Sequence, residues 1–291
     1  MVAAGALLFL QLPIPPTYAG RTIENAGHMP LFFIITLSLM FMLRGHPRCA
    51  GWRLYLVAGA IGMFTGFLTE VIQRPLRRDA SWEDVIADCI GALCALAAYA
   101  LFDRRNAVQR WHRVMAVLVA LTCMTIYMAP IVTMTRAYLY RNGQFPVIAS
   151  FRSDLELLWT RTVGVRRDIS GGALNVLFVA AETPGISFRE PVPDWISYET
   201  LAIDVENPGS APLGLGVRVQ DWHHNWQFND RFNRHYDLAA GERRTLLISL
   251  EDIRNGPRTR VMDMERVSDV TLFRDRESGS RVLRVHSIRL Q

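Results

Sequence analysis

Residues 114–151 read VMAVLVALTCMTIYMAPIVTMTRAYLYRNGQFPVIASF. Val114–Met134 is apolar and uncharged, long enough for a bilayer-spanning helix, which needs about 20 such residues. Past Arg141-Asn-Gly-Gln144 the pattern changes. Pro146–Phe151 is a short apolar run of strand length, and similar runs follow it to the end of the chain. The reading of this junction is an α-helical membrane bundle over residues 1–140, followed by an all-β domain over 144–291.

Working back from the junction, three more segments reach span length. Pro30–Leu43 has no charge and extends back through Met29 to His28; Leu54–Ile72 carries Glu70, and Val85–Phe102 carries Asp88. Val2–Leu12 is apolar but short, stopped by Pro13, Pro15 and Pro16. Without a basic segment before it, it reads as a shortened first span rather than a signal peptide. The expectation is four to five transmembrane helices.

Charge supports the division. Of the 291 residues, 32 are basic and 27 acidic, net +5, and every basic residue is Arg. Residues 1–143 hold 13 Arg and 7 acids, whereas residues 144–291 hold 19 Arg and 20 acids. The basic excess lies wholly in the membrane half, so a soluble nucleic-acid binder is excluded as a reading. Arg44–Arg53 and Asp103–Arg113 fall on one side of the bundle, taken as cytoplasmic. With five spans, the protein is expected in the cytoplasmic (inner) membrane, with the β domain extracytoplasmic. All four cysteines (Cys49, Cys89, Cys94, Cys123) lie in the first half, leaving the β domain without a disulfide framework. No P-loop, G-x-S-x-G, C-x-x-C or H-E-x-x-H motif occurs, and no cofactor or metal is expected.

Within the spans, Gly62-x-x-x-Gly66 with Gly59, and Gly91–Ala98, give two helices small-residue faces for helix contact. Polar residues gather at one depth, the outer face. Glu70 and Gln73 are three apart, and Asp84 and Asp88 four apart, so each pair shares a helix face. Arg78 lies between the two helices, and His28 begins another. A carboxylate at this depth needs a partner, and a guanidinium can fork to two. The cluster reads either as a salt-bridge network pinning helix ends or as a binding or catalytic site at the lipid boundary.

The segment Glu70-Val-Ile-Gln73-Arg-Pro-Leu-Arg-Arg78-Asp-Ala-Ser81-Trp-Glu-Asp84-Val-Ile-Ala87-Asp88-Cys-Ile-Gly91-Ala92 resembles the VanZ-like family of teicoplanin-resistance membrane proteins. The family pattern is E-x-x-Q, then R-x-x-S-x-x-D-V-x-A-N-x-x-G-A; Asp88 stands where the family has Asn. A second family motif is matched by Glu24 and His28, with Asn25 in place of Lys. The resemblance covers about residues 15–105. It implies a polytopic protein of the bacterial envelope linked to glycopeptide resistance or envelope polysaccharide, with His28, Glu70, Gln73, Arg78, Ser81, Asp84 and Asp88 as its membrane site. The family supplies no agreed reaction. The reading is of a non-enzymatic protein. The alternatives are a membrane enzyme using Glu70 or Asp84 as acid or base on a lipid-linked substrate, and a structural anchor for a protein-binding domain.

In the second half, strands are expected at Pro146–Phe151, Ala173–Phe178, Thr200–Val205, Gly214–Gln220, Arg243–Ser249, Asp269–Phe273 and Val282–Leu290, with a helical turn at Leu250–Arg254. Turns are marked at Ser170-Gly-Gly172, Asn207-Pro-Gly209, Ala240-Gly241 and Ser278-Gly279. Seven or eight short strands indicate a β-sandwich. Several features in sequence order resemble a galactose-binding-like jelly roll: Asp194-Trp195 before Tyr198-Glu-Thr-Leu-Ala-Ile-Asp204, then Leu215–Asp221, Arg231-Phe-Asn-Arg234, Leu238-x-x-Gly241 and His286–Leu290. That fold hosts many ligands.

The segment Asp221–Arg234 (DWHHNWQFNDRFNR) reads as a loop crowded with aromatics and amides. Sugar binding needs aromatic faces for C–H surfaces and polar groups for hydroxyls. Trp222, Asn225, Trp226, Asn229, Asp230 and Arg231 offer both, so an envelope glycan or glycopeptide is the expected ligand. The other reading is that the aromatics anchor the loop in the core. Arg231 and Arg234 could meet an anionic glycan or phosphate, or pair with Asp221 or Asp237. Adjacent His223 and His224 lack a further clear ligand set for a metal.

Overall fold

The computed structural model describes residues 17–73, 82–103, 109–179, 181, 183–274, 279 and 281–291. The chain divides into two compact units, Met1–Thr135 and Arg136–Gln291. The short apolar run at Val2–Leu12, with Arg78 and Ser81, lies outside the described residues, as does Ser278 of the expected last turn.

The first unit is built from α1 (Tyr18–Leu43), α2 (Trp52–Gln73), α3 (Trp82–Phe102) and the greater part of α4 (Arg110–Gln144), whose residues from Arg136 on fall in the second unit. All four are long and apolar enough to cross a membrane. At 1.5 Å per residue even the shortest reaches roughly 30 Å, the thickness of a hydrocarbon core. Thr17 caps α1, its hydroxyl accepting from the Gly20 N–H at 2.9 Å.

The small residues set the helix contacts. A Cβ on Gly91 would lie 2.3 Å from the Met29 carbonyl oxygen, so α3 and α1 touch through backbone there. A Cβ on Gly62 would meet the Thr36 hydroxyl at 2.4 Å, and one on Gly66 would meet the Asp88 Cβ at 2.8 Å. The glycines of α2 thus open room for a polar side chain on each neighbour, α1 and α3.

The second unit is an antiparallel β-sandwich. In chain order its strands are β1 (Val147–Ala149), β2 (Thr160–Val163), β3 (Val165–Ser170), β4 (Ala173–Phe178), β5 (Gly185–Arg189), β6 (Thr200–Glu206), β7 (Leu213–Asp221), β8 (Phe232–Leu238), β9 (Arg243–Ser249), β10 (Val267–Arg274) and β11 (Val282–Leu290). A short helix, α5 (Leu250–Arg254), follows β9. One sheet runs β3-β4-β11-β6-β9, with β1 paired to β11; the other runs β2-β5-β10-β7-β8. Period-2 alternation places Leu201, Ile203, Val205, Val285 and Ile288 of the first sheet in a common core with Ile186, Phe188, Val217, Val219, Val270 and Leu272 of the second. Trp195 is fully buried beside them, its indole N–H donating to the Val192 carbonyl at 2.8 Å. At Ser170-Gly-Gly-Ala173, Gly171 and Gly172 have φ of +61° and +71°, the conformation a two-residue hairpin turn requires.

Among the described residues eleven strands form rather than seven or eight. The extra ones are β2, β3, β5 and β8. β2 and β3 alternate half-buried with exposed positions and carry few apolar residues, so hydropathy alone passes over them. β8 corrects the extent of the aromatic loop: Phe232 is buried in the core and begins a strand, so the loop ends at Arg231.

Candidate functional site

In the first unit, α1 and α3 bring two of the expected polar residues together. His28 Nδ1 lies 3.0 Å from Asp88 Oδ1, with Asp88 fully buried. Asp84, one turn earlier on α3, is also buried. The space beside Asp88 is the one Gly66 leaves open. Glu70 and Gln73 lie on the last turn of α2. The arrangement holds one imidazole–carboxylate pair inside a helix bundle, able to hold or pass a proton.

In the second unit, the β7–β8 connection is tied down by a residue that the sequence reading passed over, Arg260. Its guanidinium forks to two buried carboxylates, reaching Asp221 Oδ1 at 2.7 Å and Asp230 Oδ1 at 2.6 Å. The N–H of Asp263 donates to Asp221 at 2.8 Å, and the N–H of Asn225 donates to Asp230 at 2.8 Å. Burial raises the Asp221 pKa, but the hydrogen bonds and charge of Arg260 and the Asp263 N–H outweigh it, and the net shift is downward. The Arg260 hydrogen bonds hold Asp230 below its usual value as well, against a smaller effect of burial. His224 is buried against the same knot, Nδ1 lying 3.0 Å from the Asp230 carbonyl oxygen.

Asp230 therefore spends its oxygens inside the loop. Asn225 does part of the same work, its Oδ1 accepting from the Gln227 N–H at 2.9 Å, and the Asn229 carbonyl accepts from the Arg258 N–H at 2.9 Å. The aromatics point outward. Trp222 is 43% exposed, Trp226 80% and Phe228 63%. Trp226 sits at φ +68°, in the left-handed region. Arg231 stacks over Phe228 at 5.6 Å, while Arg234 pairs with Asp252 at 2.8 Å rather than with Asp221 or Asp237.

The loop continues onto the outer face of the second sheet. The β-register sets this face out in rows. Ser187, Thr271, Arg218 and Asn233 form one, and Arg189, Asp269 and Gln220 the next. Continuing the β7–β8 register places Arg231 opposite Gln220, diagonal to Arg218. A third row holds Gly185, Phe273, Gly216 and His235. The Phe273 ring meets His235 edge-on at 5.5 Å and carries the Arg218 guanidinium at 5.0 Å. Ser187 and Thr271 hydroxyls are 2.7 Å apart, and Thr271 donates to Asp269. Burial pushes the Asp269 pKa up to about 6, against the pull of Thr271, Arg189, Arg218 and Ser187. The signal for this face is the polar half of the alternation in Leu213–Asp221, where Arg218 and Gln220 alternate with core residues.

Among the described residues, no group of three or more His, Cys, Asp or Glu could hold a metal ion. Fold and site define a class: an antiparallel β-sandwich with an aromatic loop at one sheet's edge, carried on a chain whose N-terminal helices are apolar enough for a membrane. No family model matches the chain. No curated protein matches it. Solved structures similar to it include the family 11 carbohydrate-binding module from Clostridium thermocellum in complex with a beta-1,3-1,4-mixed-linked tetrasaccharide, at 13% identity and TM-score 0.38, covering 50% of this chain and 93% of that one. An exo-beta-agarase is similar at 16% identity and TM-score 0.41, covering 50% of this chain and 24% of that one. The agarase AgWH50C follows at 14% identity and TM-score 0.42, again covering 50% of this chain and 26% of that one. The chain spans about a fifth of PfGH50B, which it also resembles, at 14% identity and TM-score 0.37.

Proposed function

We propose that this chain is a VanZ-like membrane protein of the bacterial envelope whose β-sandwich stands outside the cytoplasmic membrane and binds carbohydrate. One observation carries the binding reading: Trp222, Trp226 and Phe228 are exposed on a loop that a buried Asp221–Arg260–Asp230 knot holds in place. Large aromatic surfaces left open on a braced loop are what stacking against sugar C–H faces uses, since the ordering cost is met on folding rather than on binding. Asn233, Gln220, Ser187 and Arg231 on the adjoining face supply groups for hydroxyls. The membrane reading rests on α4: of its 18-residue apolar window only 11% is buried, so most of that surface needs lipid.

The test uses the full chain in detergent micelles against immobilised envelope and plant saccharides, with Trp222→Ala and Trp226→Ala beside it. Binding that both variants weaken supports the proposal. No saccharide bound at all would leave a protein-binding sandwich on a membrane anchor.

The pairing of half-buried His28 with fully buried Asp88 favours a second reading for the membrane unit, an acid/base or ligand site for a lipid-linked envelope substrate or a glycopeptide. Teicoplanin susceptibility of cells carrying Glu70→Gln, Asp84→Asn or Asp88→Asn checks it. Variants that insert normally and behave as the parent remove the site.

A further inference from the structure

On the outer face of the β2-β5-β10-β7-β8 sheet, two arginines are diagonal neighbours without, among the described residues, a matching pair of carboxylates. Arg218 lies on β7, and Arg231 just before β8, diagonal to it. Each is stacked on a ring, Arg218 on Phe273 and Arg231 on Phe228. Arg218 makes one long side-chain hydrogen bond, to Asn233 Oδ1 at 3.4 Å. The Arg231 side chain makes no hydrogen bond and no ion pair among the described residues, and its Nε is buried without a partner. A carboxylate facing Arg218, Asp269, also faces Arg189, so it does not balance the group.

Such an arrangement is unfavourable when empty. Burial, with the like charge of Arg218, brings the Arg231 pKa down to about 10, whereas the usual guanidinium stays charged to well above that. Two other arginines of the sandwich are handled differently: Arg243 forks to Asp204, and Arg234 pairs with Asp252. An anion between Arg218 and Arg231 would remove the repulsion and leave both rings in place.

We infer that Arg218 and Arg231 form a seat for an anionic substituent, a carboxylate or sulfate, of an acidic saccharide lying along the second sheet's outer face beside Phe228 and Trp226. The inference rests on the carbohydrate reading and sharpens it to a substrate class. Sugar-ring contacts come from the exposed Phe228 and Trp226, and hydroxyl contacts from Asn233, Gln220 and Ser187. The charge contact separates acidic polymers from neutral ones. Residues 144–291 as a whole carry 19 Arg against 20 acids, so a preference for anions would not follow from bulk charge.

The test compares matched polymers that differ only in charge: polygalacturonate against its methyl-esterified form, and dextran sulfate against dextran. Full-length protein in detergent is titrated with each, and with inorganic sulfate alone. The expected result is binding to an acidic polymer at least tenfold tighter than to its neutral partner, with inorganic sulfate much weaker than either acidic polymer. Arg231→Gln and Arg218→Gln should each weaken acidic binding by about tenfold to a hundredfold, the loss of one charge-assisted contact. They should leave the melting temperature unchanged or raised, because a like-charge repulsion is removed. Arg166→Gln, an exposed arginine on the other sheet, should not change binding. Equal binding of charged and uncharged partners overturns the anionic seat while the carbohydrate reading stands. Sulfate binding as tightly as the acidic polymers overturns the saccharide part of the inference, and no polymer bound overturns both.

Discussion

Phe273 occupies the space that a side chain at Gly216 would need: a Cβ there would sit 2.1 Å from the ring. This fixes the ring flat against the outer sheet face, where it supports Arg218. Replacing Gly216 with Ala forces ring or strand to move. The expected cost is about 1–3 kcal/mol, the usual penalty of overpacking. Thermal melting of the purified protein should show it. Binding should fall as well, because Arg218 loses its platform. An unchanged melting temperature would mean the ring is free to lie elsewhere.

Arg260→Met leaves Asp221 and Asp230 buried and uncompensated. Breaking such a network costs about 3 kcal/mol or more, so the domain should melt well below the parent. Asp221→Asn with Asp230→Asn in the same chain should restore much of the loss, because neutral amides need no counter-charge. Failure of that rescue would show that Arg260 acts through packing.

The same knot sets an acid limit. Asp221 and Asp230 have folded pKa values below their unfolded ones. Their contribution is full above the unfolded value, near 4, and is lost as pH falls through the folded values. Stability of the sandwich should therefore drop steeply below about pH 4. In Arg260→Met the carboxylates are buried without a partner and their pKa values rise, so its stability should increase from pH 7 towards pH 5. Parallel pH profiles for parent and variant would contradict this.

Asp269 works in the opposite sense. Its folded value, about 6, is above the unfolded one, so its ionised form destabilises the fold above that pH and protonation stabilises it on the way down to about 4. Asp269→Asn should raise the melting temperature at pH 8 and change it little at pH 4.5. A drop at pH 8 would mean that the pull of Arg189 and Arg218 exceeds the cost of burial.

In the helical unit, Gly66→Val should lower the thermal stability of the detergent-purified protein, since a Cβ there collides with Asp88. Gly27→Val, where no atom lies within reach of a Cβ, is the matched control.

The parts of the fold that were readable in the sequence are those with a strong period or a strong run. The four helices follow from apolar length, and Ala173–Phe178, Arg243–Ser249 and Val282–Leu290 run residue for residue as expected. β2, β3 and β8 were hidden because their pattern is set by a partner sheet rather than by hydrophobicity. Phe232 and Phe228 look alike in the sequence, yet one is core and the other exposed; only the register of β7 and β8 separates them. Arg260 was invisible for a similar reason, since it lies 30 residues from Asp230 and 39 from Asp221, and no local motif links them. The outer sheet face could have been traced from the alternation of Leu213–Asp221, but a polar face reads the same whether it meets water or a ligand.

Trp226 has a bearing of another kind. A left-handed backbone suits glycine, and an indole there costs about 1–2 kcal/mol of local strain. The loop thus gives up stability to keep a large ring in the open, and under the proposed carbohydrate reading folding and recognition pull against each other at one residue. Trp226→Gly should make the domain harder to melt and worse at its task. A chain shaped for durability alone would have resolved that conflict the other way.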